Sequence, residues 1–318
     1  MKKATHSIWI LMTWLCLSIS GCTSEEELWV QQLTSRVMDA EYTVSQLKNH
    51  INKGLVKNAV LLKRYADVAK NDKTELTEIF DALALDATTN GPLYKGLKTR
   101  LDEASTLSKA APKKGQFAVA SVEEELLLIT EAAKPAIYNM MLTDPINVIA
   151  DMSDGKLARV EAMSKEASIQ ASGASDTGAG SQLIGNPSYG RWSTGSGGTS
   201  FWAWYGMYSM FGHLYSRPIY YSSWGSGRHY SYYNDYGRSH YTSPSQFKSQ
   251  TKVENTAKSK FKKSGKSFTS PYAKTRTGAS RTVVKPKASI SSYKSSYASQ
   301  STARNTSTRT SRSGSRGK

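Results

Sequence analysis

Few side chains in this chain of 318 residues have the type and spacing to make or break a bond. Of its two cysteines, Cys16 and Cys22, only the second has a suggestive context. It follows the small pair Ser20-Gly21, an apolar run from Ile8 to Leu17, and Lys2 and Lys3. Neither cysteine has a partner set that reads as a catalytic nucleophile. His50, His213, His229 and His240 lie beyond this leader, and none has the H-E-x-x-H spacing that puts two imidazoles on one helix face for a metal. The last three share their neighbourhood with Asp235, a weak metal-ligand set that scattered surface histidines explain equally well. Asp151-Met152-Ser153-Asp154-Gly155 lacks the alternating ligands and closing glutamate of a calcium loop and reads as a helix end. The sequence contains no G-x-S-x-G elbow, phosphate loop or dinucleotide fingerprint. The expectation is a non-enzymatic chain with no catalytic residues, no metal and no cofactor. A hydrolase with an unrecognised site would need an ordered cleft converging on His213, His229 or His240.

The order of charge, apolar run, small pair and cysteine, ending Ile19-Ser20-Gly21-Cys22, resembles the signal peptide and lipobox of bacterial lipoproteins. The resemblance covers residues 1–22. It implies a signal peptide of residues 1–21, cleavage before Cys22, and lipid modification of Cys22 at the new N-terminus. An ordinary secretory leader with an incidental cysteine is the alternative. The apolar run is too short to cross a bilayer, which takes about 20 residues. A buried acyl chain contributes about 0.8 kcal/mol per methylene, so one chain holds marginally and several hold stably. The lipoprotein pattern of several chains, palmitate among them, therefore implies permanent membrane attachment. By analogy with Gram-negative sorting, Thr23 in place of an aspartate points to the outer membrane. With Cys16 lost in the leader, the processed chain has no second cysteine for an internal disulfide.

Net charge divides the chain. The total of +17 is matched by residues 246–318 alone, which hold 18 Lys and Arg and one acid. Ahead of them, residues 22–170 read as a helical domain. Val30, Leu33, Val37, Ala40, Val44, Leu47 and Ile51 alternate steps of three and four, a seam like that of a coiled coil. With only about three heptads, packing inside a bundle is favoured over dimerisation, although the helical domain could also take a protein partner. Gly54 breaks this helix. Further apolar faces follow at Leu55, Ala59, Leu62, Ala66 and Ala69, at Leu76, Ile79, Phe80 and Leu83, and at Leu93, Leu97, Leu101, Ala104 and Leu107. Turns are expected at Thr88 to Pro92 and at Pro112 to Gly115. Ser121 with Glu124 reads as a capping box. Asp144-Pro145 and Asp154-Gly155 bracket a short helix, and a last helix is expected from Lys156 to Ser168. The fold class is all-α, a helical bundle.

Residues 171–200 are rich in Gly and Ser and read as a flexible linker. Residues 201–245 form an aromatic segment, and Tyr189 to Tyr241 hold 17 of the 32 aromatic residues of the chain. Phe201, Trp204, Tyr205, Tyr208, Phe211 and Tyr215 would share a face at helical spacing. Four readings stand side by side: packing on the bundle or a partner, insertion at a membrane interface, stacking on glycan, and self-association. A glycan-binding module would use Trp202, Trp204, Tyr220, Tyr221 and Trp224. The layout of residues 200–318 loosely resembles that of some Gram-negative envelope lipoproteins with no established activity, so no mechanism follows from it.

Residues 246–318 have too few apolar side chains to offset their ordering entropy and read as a disordered basic tail. Along an extended chain, charges every fourth residue are about 14 Å apart, beyond a screening length of about 8 Å, so they act singly. Lys258, Lys260, Lys262, Lys263 and Lys266 form the dense cluster, with Phe261 and Phe268 between them, and are the expected polyanion-binding residues. In the cytosol such a tail would suggest nucleic acid. The export signal redirects it to lipopolysaccharide, anionic lipid or cell wall in the envelope. A solvated tail that only keeps the protein soluble is the alternative.

Overall fold

The computed structural model describes residues 24–160, 178–215, 217–228 and 230–273. The leader with Cys22, residues 161–177 and the chain beyond 273 lie outside the described residues, as does His229. The described chain is mostly helical, with one small antiparallel sheet.

Helix α1 (Glu25–Asn52) starts at a reciprocal cap: the Ser24 hydroxyl accepts from the Glu27 amide, and the Glu27 carboxylate accepts from the Ser24 amide. Three glutamates in its first turn oppose the positive end of the helix dipole. Leu33, Ala40, Val44, Leu47 and Ile51 of the expected seam are buried, Val37 is partly buried and Val30 is exposed. The seam thus packs inside the bundle. Gly54, at φ 68°, turns the chain into α2 (Lys57–Asp72), followed by α3 (Thr77–Ala84) and α4 (Pro92–Ala110). Ala59, Leu62, Ala66, Ala69, Ile79, Phe80, Leu83, Leu93, Leu97, Leu101 and Ala104 fill the core. Leu55 and Leu107, at the ends of their apolar runs, are exposed.

Helix α5 (Gln116–Ala132) begins five residues before the expected cap, because Gly115, at φ 87°, ends the preceding turn and serves as N-cap. Ser121 and Glu124 are therefore inside the helix. Two short helices follow, α6 (Pro135–Met141) and α7 (Thr143–Met152). Asp154 and Gly155, at φ 52° and 84°, stop α7. Residues 156–160 run without helix, which corrects the expected helix from Lys156 over that part; its remainder lies outside the described residues.

Residues 178–200 are folded, against the expectation of a flexible linker. Strand β1 (Gly190–Thr194) pairs antiparallel with β2 (Ser200–Trp204), with Trp192 opposite Trp202. The glycines here permit close packing rather than motion: a Cβ on Gly185, whose φ is 84°, would lie 2.9 Å from the Trp224 ring. The helical face expected from Phe201 to Tyr215 is absent, since the first part is a strand whose period of two puts Trp202 and Trp204 on one face. Short helices α8 (Phe211–Leu214), α9 (Tyr221–Gly227) and α10 (Arg238–Tyr241) complete the aromatic layer.

Two buried carboxylates of the bundle receive this layer. Asp86 accepts from the Tyr208 hydroxyl at 2.9 Å and from the Leu93 amide at 3.3 Å. Asp144 accepts from the Ser231 hydroxyl at 2.8 Å and from the Tyr232 and Tyr233 amides at 3.0 and 3.2 Å. Arg100 adds a third tie, bonding Glu125 at 2.7 Å within the bundle and the His240 carbonyl across the junction. The Tyr241 hydroxyl donates to the Ala132 carbonyl at 2.8 Å. Asp86 is fully buried, and desolvation pushes its carboxyl up to about 7, with the Tyr208 and Leu93 donors pulling the other way. Burial likewise pushes Asp144 up to about 6 against its three donors.

Between pH 4 and pH 7, on the order of the unfolded and folded values, the folded chain holds protons here that the unfolded chain releases. The stability these two groups contribute is present at the acid end and lost as pH rises through their folded values. Burial lowers the pKa of His240, which works in the opposite sense, so the informative quantity is a difference between variants. Urea unfolding of the parent at pH 5 and pH 8 should show Asp86 favouring the lower pH by on the order of 2 kcal/mol relative to Asp86→Asn. An identical pH dependence in both proteins would show that Asp86 is not the buried titrating group.

Candidate functional site

The described part of the basic region is ordered. Helix α11 (Pro244–Lys263) opens with a capping box in which the Ser243 hydroxyl accepts from the Gln246 amide and the Gln246 side chain accepts from the Ser243 amide, with Pro244 in the first turn. This corrects the expectation of disorder over residues 246–273; the rest of that tail lies outside the described residues. The apolar content is low, but it lies on one stripe: Val253 is buried, and Ala257 packs against the same aromatic cluster. Gln250, also buried, donates to the Gly185 carbonyl at 3.1 Å and accepts from Arg238 Nε at 3.1 Å. A narrow stripe suffices because its partner surface is large and preformed.

That surface is the second core, built of Ile184, Trp192, Trp202, Tyr221, Trp224 and Val253. Trp192 lies at its centre, with ring centroids 5.1 Å from Trp202, 4.8 Å from Tyr221 and 5.1 Å from Trp224. Beyond α11 the chain turns at Gly265 (φ 69°) and returns across the same cluster. Phe268 meets Phe261 edge-on at 5.1 Å and stacks on Tyr221 at 6.1 Å. The Pro271 carbonyl accepts from Arg228 Nε at 2.6 Å, and Arg228 also pairs with Asp235 at 2.6 Å. The buried Arg238 guanidinium lies 3.5 Å from the Tyr272 ring centroid and 4.7 Å from that of Phe247.

The five expected lysines divide between faces. All are exposed. Lys258 pairs with Glu254 at 2.7 Å one turn earlier, and Lys262 follows Lys258 at the same helical angle. Lys266 lies past the helix end. Lys260 and Lys263 instead join Lys248 and Lys252, two residues that sequence reasoning missed, along a shallow open groove formed by the outer face of α11 alone. Ser249, Asn255 and Ser259 also line it. Lys260 donates to the Gly198 carbonyl in the β1–β2 turn, which ties the end of the helix to the sheet. At about 1.5 Å of rise per residue, Lys258 to Lys263 span about 7.5 Å, close to one screening length. Their fields add, whereas the extended-chain spacing would have kept them apart. The missed signal was Ser243-Pro244-Ser245-Gln246, a helix start written in the sequence.

The five aromatic residues expected to form a contact platform are mostly inside. Trp202, Tyr221 and Trp224 are buried, Trp204 is half-buried between Trp202 and Phe211, and only Tyr220 of the set is exposed. Asp235 is occupied by Arg228 and by the Ser231 amide at 3.0 Å. Among the described residues, no three His, Cys, Asp or Glu side chains converge as a metal site requires, and no helix is long and apolar enough to cross a membrane. No family model matches the chain, and neither a curated protein nor a solved structure matches it.

Arg238 is one of the side chains that join α11 to its support. Arg238→Ala removes two cation–ring contacts and leaves the buried Gln250 oxygen without that donor, at a cost of about 2–3 kcal/mol. Limited trypsin digestion should then cut at the lysines of α11 while the bundle stays intact. Unchanged protection of α11 would show that Arg238 does not hold it.

Proposed function

We propose that the protein is a non-enzymatic lipoprotein of the bacterial cell envelope, held on a membrane by acyl chains on Cys22 and binding an anionic envelope polymer through its basic C-terminal region. By analogy with Gram-negative sorting, Thr23 supports retention in the outer membrane. The lipobox-like leader supports the compartment. The observation that carries the ligand class is the face of α11, where Lys248, Lys252, Lys260 and Lys263 line one groove and the helix's single acid, Glu254, is engaged by Lys258 elsewhere. Eleven further Lys and Arg follow residue 273 and extend the same chemistry. Phosphate-bearing or carboxylate-bearing polymer in the envelope, lipopolysaccharide or wall, is the ligand of matching charge. Each well-placed lysine contributes up to about 1 kcal/mol, screened by salt. The burial of Trp202, Tyr221 and Trp224 favours this ionic reading over glycan stacking, because their ring faces are already used by neighbouring rings.

Sedimentation with lipopolysaccharide or purified wall tests it. Changing Lys248, Lys252, Lys260 and Lys263 together to Gln should weaken binding at low salt by roughly 10–100-fold, with a smaller loss when Lys258 and Lys262 are changed. High salt should release the parent protein. Binding that survives the four substitutions, or that ignores salt, contradicts the proposal.

A further inference from the structure

We infer that the end of the helical bundle beside Cys22 is a lipid-seating surface, on which Phe117, Leu28 and Leu107 enter the interface of the bilayer that carries the anchor while Lys109, Lys113 and Lys114 meet lipid phosphates. The inference rests on the acylation of Cys22 proposed above.

Covalent geometry places the anchor. Cys22 is two residues ahead of Ser24, the cap of α1, so their Cα atoms are at most about 7 Å apart. Lipid on Cys22 therefore holds the first turn of α1 at the membrane surface. Which other residues occupy that end follows from the helix directions. Gln32 and Arg36 of α1 both reach the Glu123 carboxylate of α5, at 2.7 and 3.1 Å. Asn58, just beyond the far end of α1, donates two bonds of 2.7 Å to Asn139, just beyond the far end of α5. The two helices therefore run parallel, with Glu123 level with the interval from Gln32 to Arg36. Counting back six residues along both brings Phe117 level with Leu28, and the Pro112–Lys114 turn, which packs on α1, level with the start of that helix. Helix α4 runs the other way, because the short turn from Ala110 to Gln116 joins it to α5 and Arg100, ten residues back, bonds Glu125, nine residues on; this brings Leu107 and Lys109 to the same end.

The side chains gathered there suit a headgroup layer. Phe117 is 75% exposed, the highest value among the described large apolar side chains, and Leu28 and Leu107 are each 52% exposed. Lys109, Lys113 and Lys114 are exposed around them, and lysine stems can lie along apolar surface with the ammonium among phosphates. Glu25, Glu26 and Glu27 balance these charges, so the seating does not depend on net attraction. It need not, because a covalent anchor makes the contact intramolecular and weak interactions then suffice.

The test uses full-length protein made with its leader, purified in acylated form and reconstituted in phosphatidylethanolamine–phosphatidylglycerol vesicles. Phe117→Cys then carries the only free thiol and takes an environment-sensitive nitrobenzoxadiazole label. Tyr42→Cys, at a site 67% exposed on helix α1 and about 21 Å beyond the level of Leu28 and Phe117, is the control. The expected result is intact-mass evidence of acylated Cys22 together with blue-shifted emission and several-fold slower dithionite bleaching at position 117 than at 42. Leu107→Cys should behave like position 117. Acylated protein with equal bleaching at all three sites overturns the seating while the anchor stands. A free Cys22 thiol in the intact mass overturns the anchor and the seating with it.

Discussion

Burial of two acids at the junction between the bundle and the aromatic layer sets the position of the described layers packed beyond it. A carboxylate taken out of water costs several kcal/mol unless donors replace the lost hydration. Asp144 and Asp86 find most of theirs on the other side of the junction, in Ser231, Tyr232, Tyr233 and Tyr208. The aromatic layer therefore docks in one register, since a shifted layer would strand both acids. Once docked, it presents Trp192, Tyr221 and Trp224 as a ready surface. Helix α11 needs only Val253, Ala257 and a satisfied Gln250 to bind that surface. The lysine face is thus the last layer in a sequence of dependencies that begins with the bundle.

Much of the bundle was legible because its signal is local. Steps of three and four from Leu33 to Ile51 and from Leu93 to Ala104 mark one helix face each, and those residues are buried except Val37, which is partly so. Gly54 and Asp154-Gly155 act as stops, and Pro92 as a start, for backbone reasons that any context preserves. Ser121 misled because a cap motif also occurs inside helices, and the real start was fixed by the positive φ of Gly115. The aromatic half was less legible, since its order comes from contacts distant in sequence. Gly185 and Gly190 look like linker residues until Trp224 and Trp202 are set against them. The basic region failed for the same reason: composition says nothing about a partner surface, although Ser243 to Gln246 did announce a helix.

The correction to the basic region alters the physics of the site. A fluctuating tail presents charges one at a time, and each contact must be ordered as it forms. A docked helix presents Lys248, Lys252, Lys260 and Lys263 already ordered along one groove, so part of the entropic cost is met during folding. Such a face also has a fixed direction, which a tail lacks. If the bundle rests on a bilayer at its Phe117 end, the two sites divide the work: one holds the protein to lipid, and the other offers charge to polymer.

Amide hydrogen exchange across α11 in the full-length protein tests the central structural claim most directly. The account predicts that the amides of Val253 and Ala257 exchange as slowly as those of Tyr232 and Tyr233 at the Asp144 junction, because they belong to the same packed layer. Exchange at the rate of an unstructured peptide would contradict it, returning these lysines to an unordered tail and removing the basis for a defined polyanion-binding face.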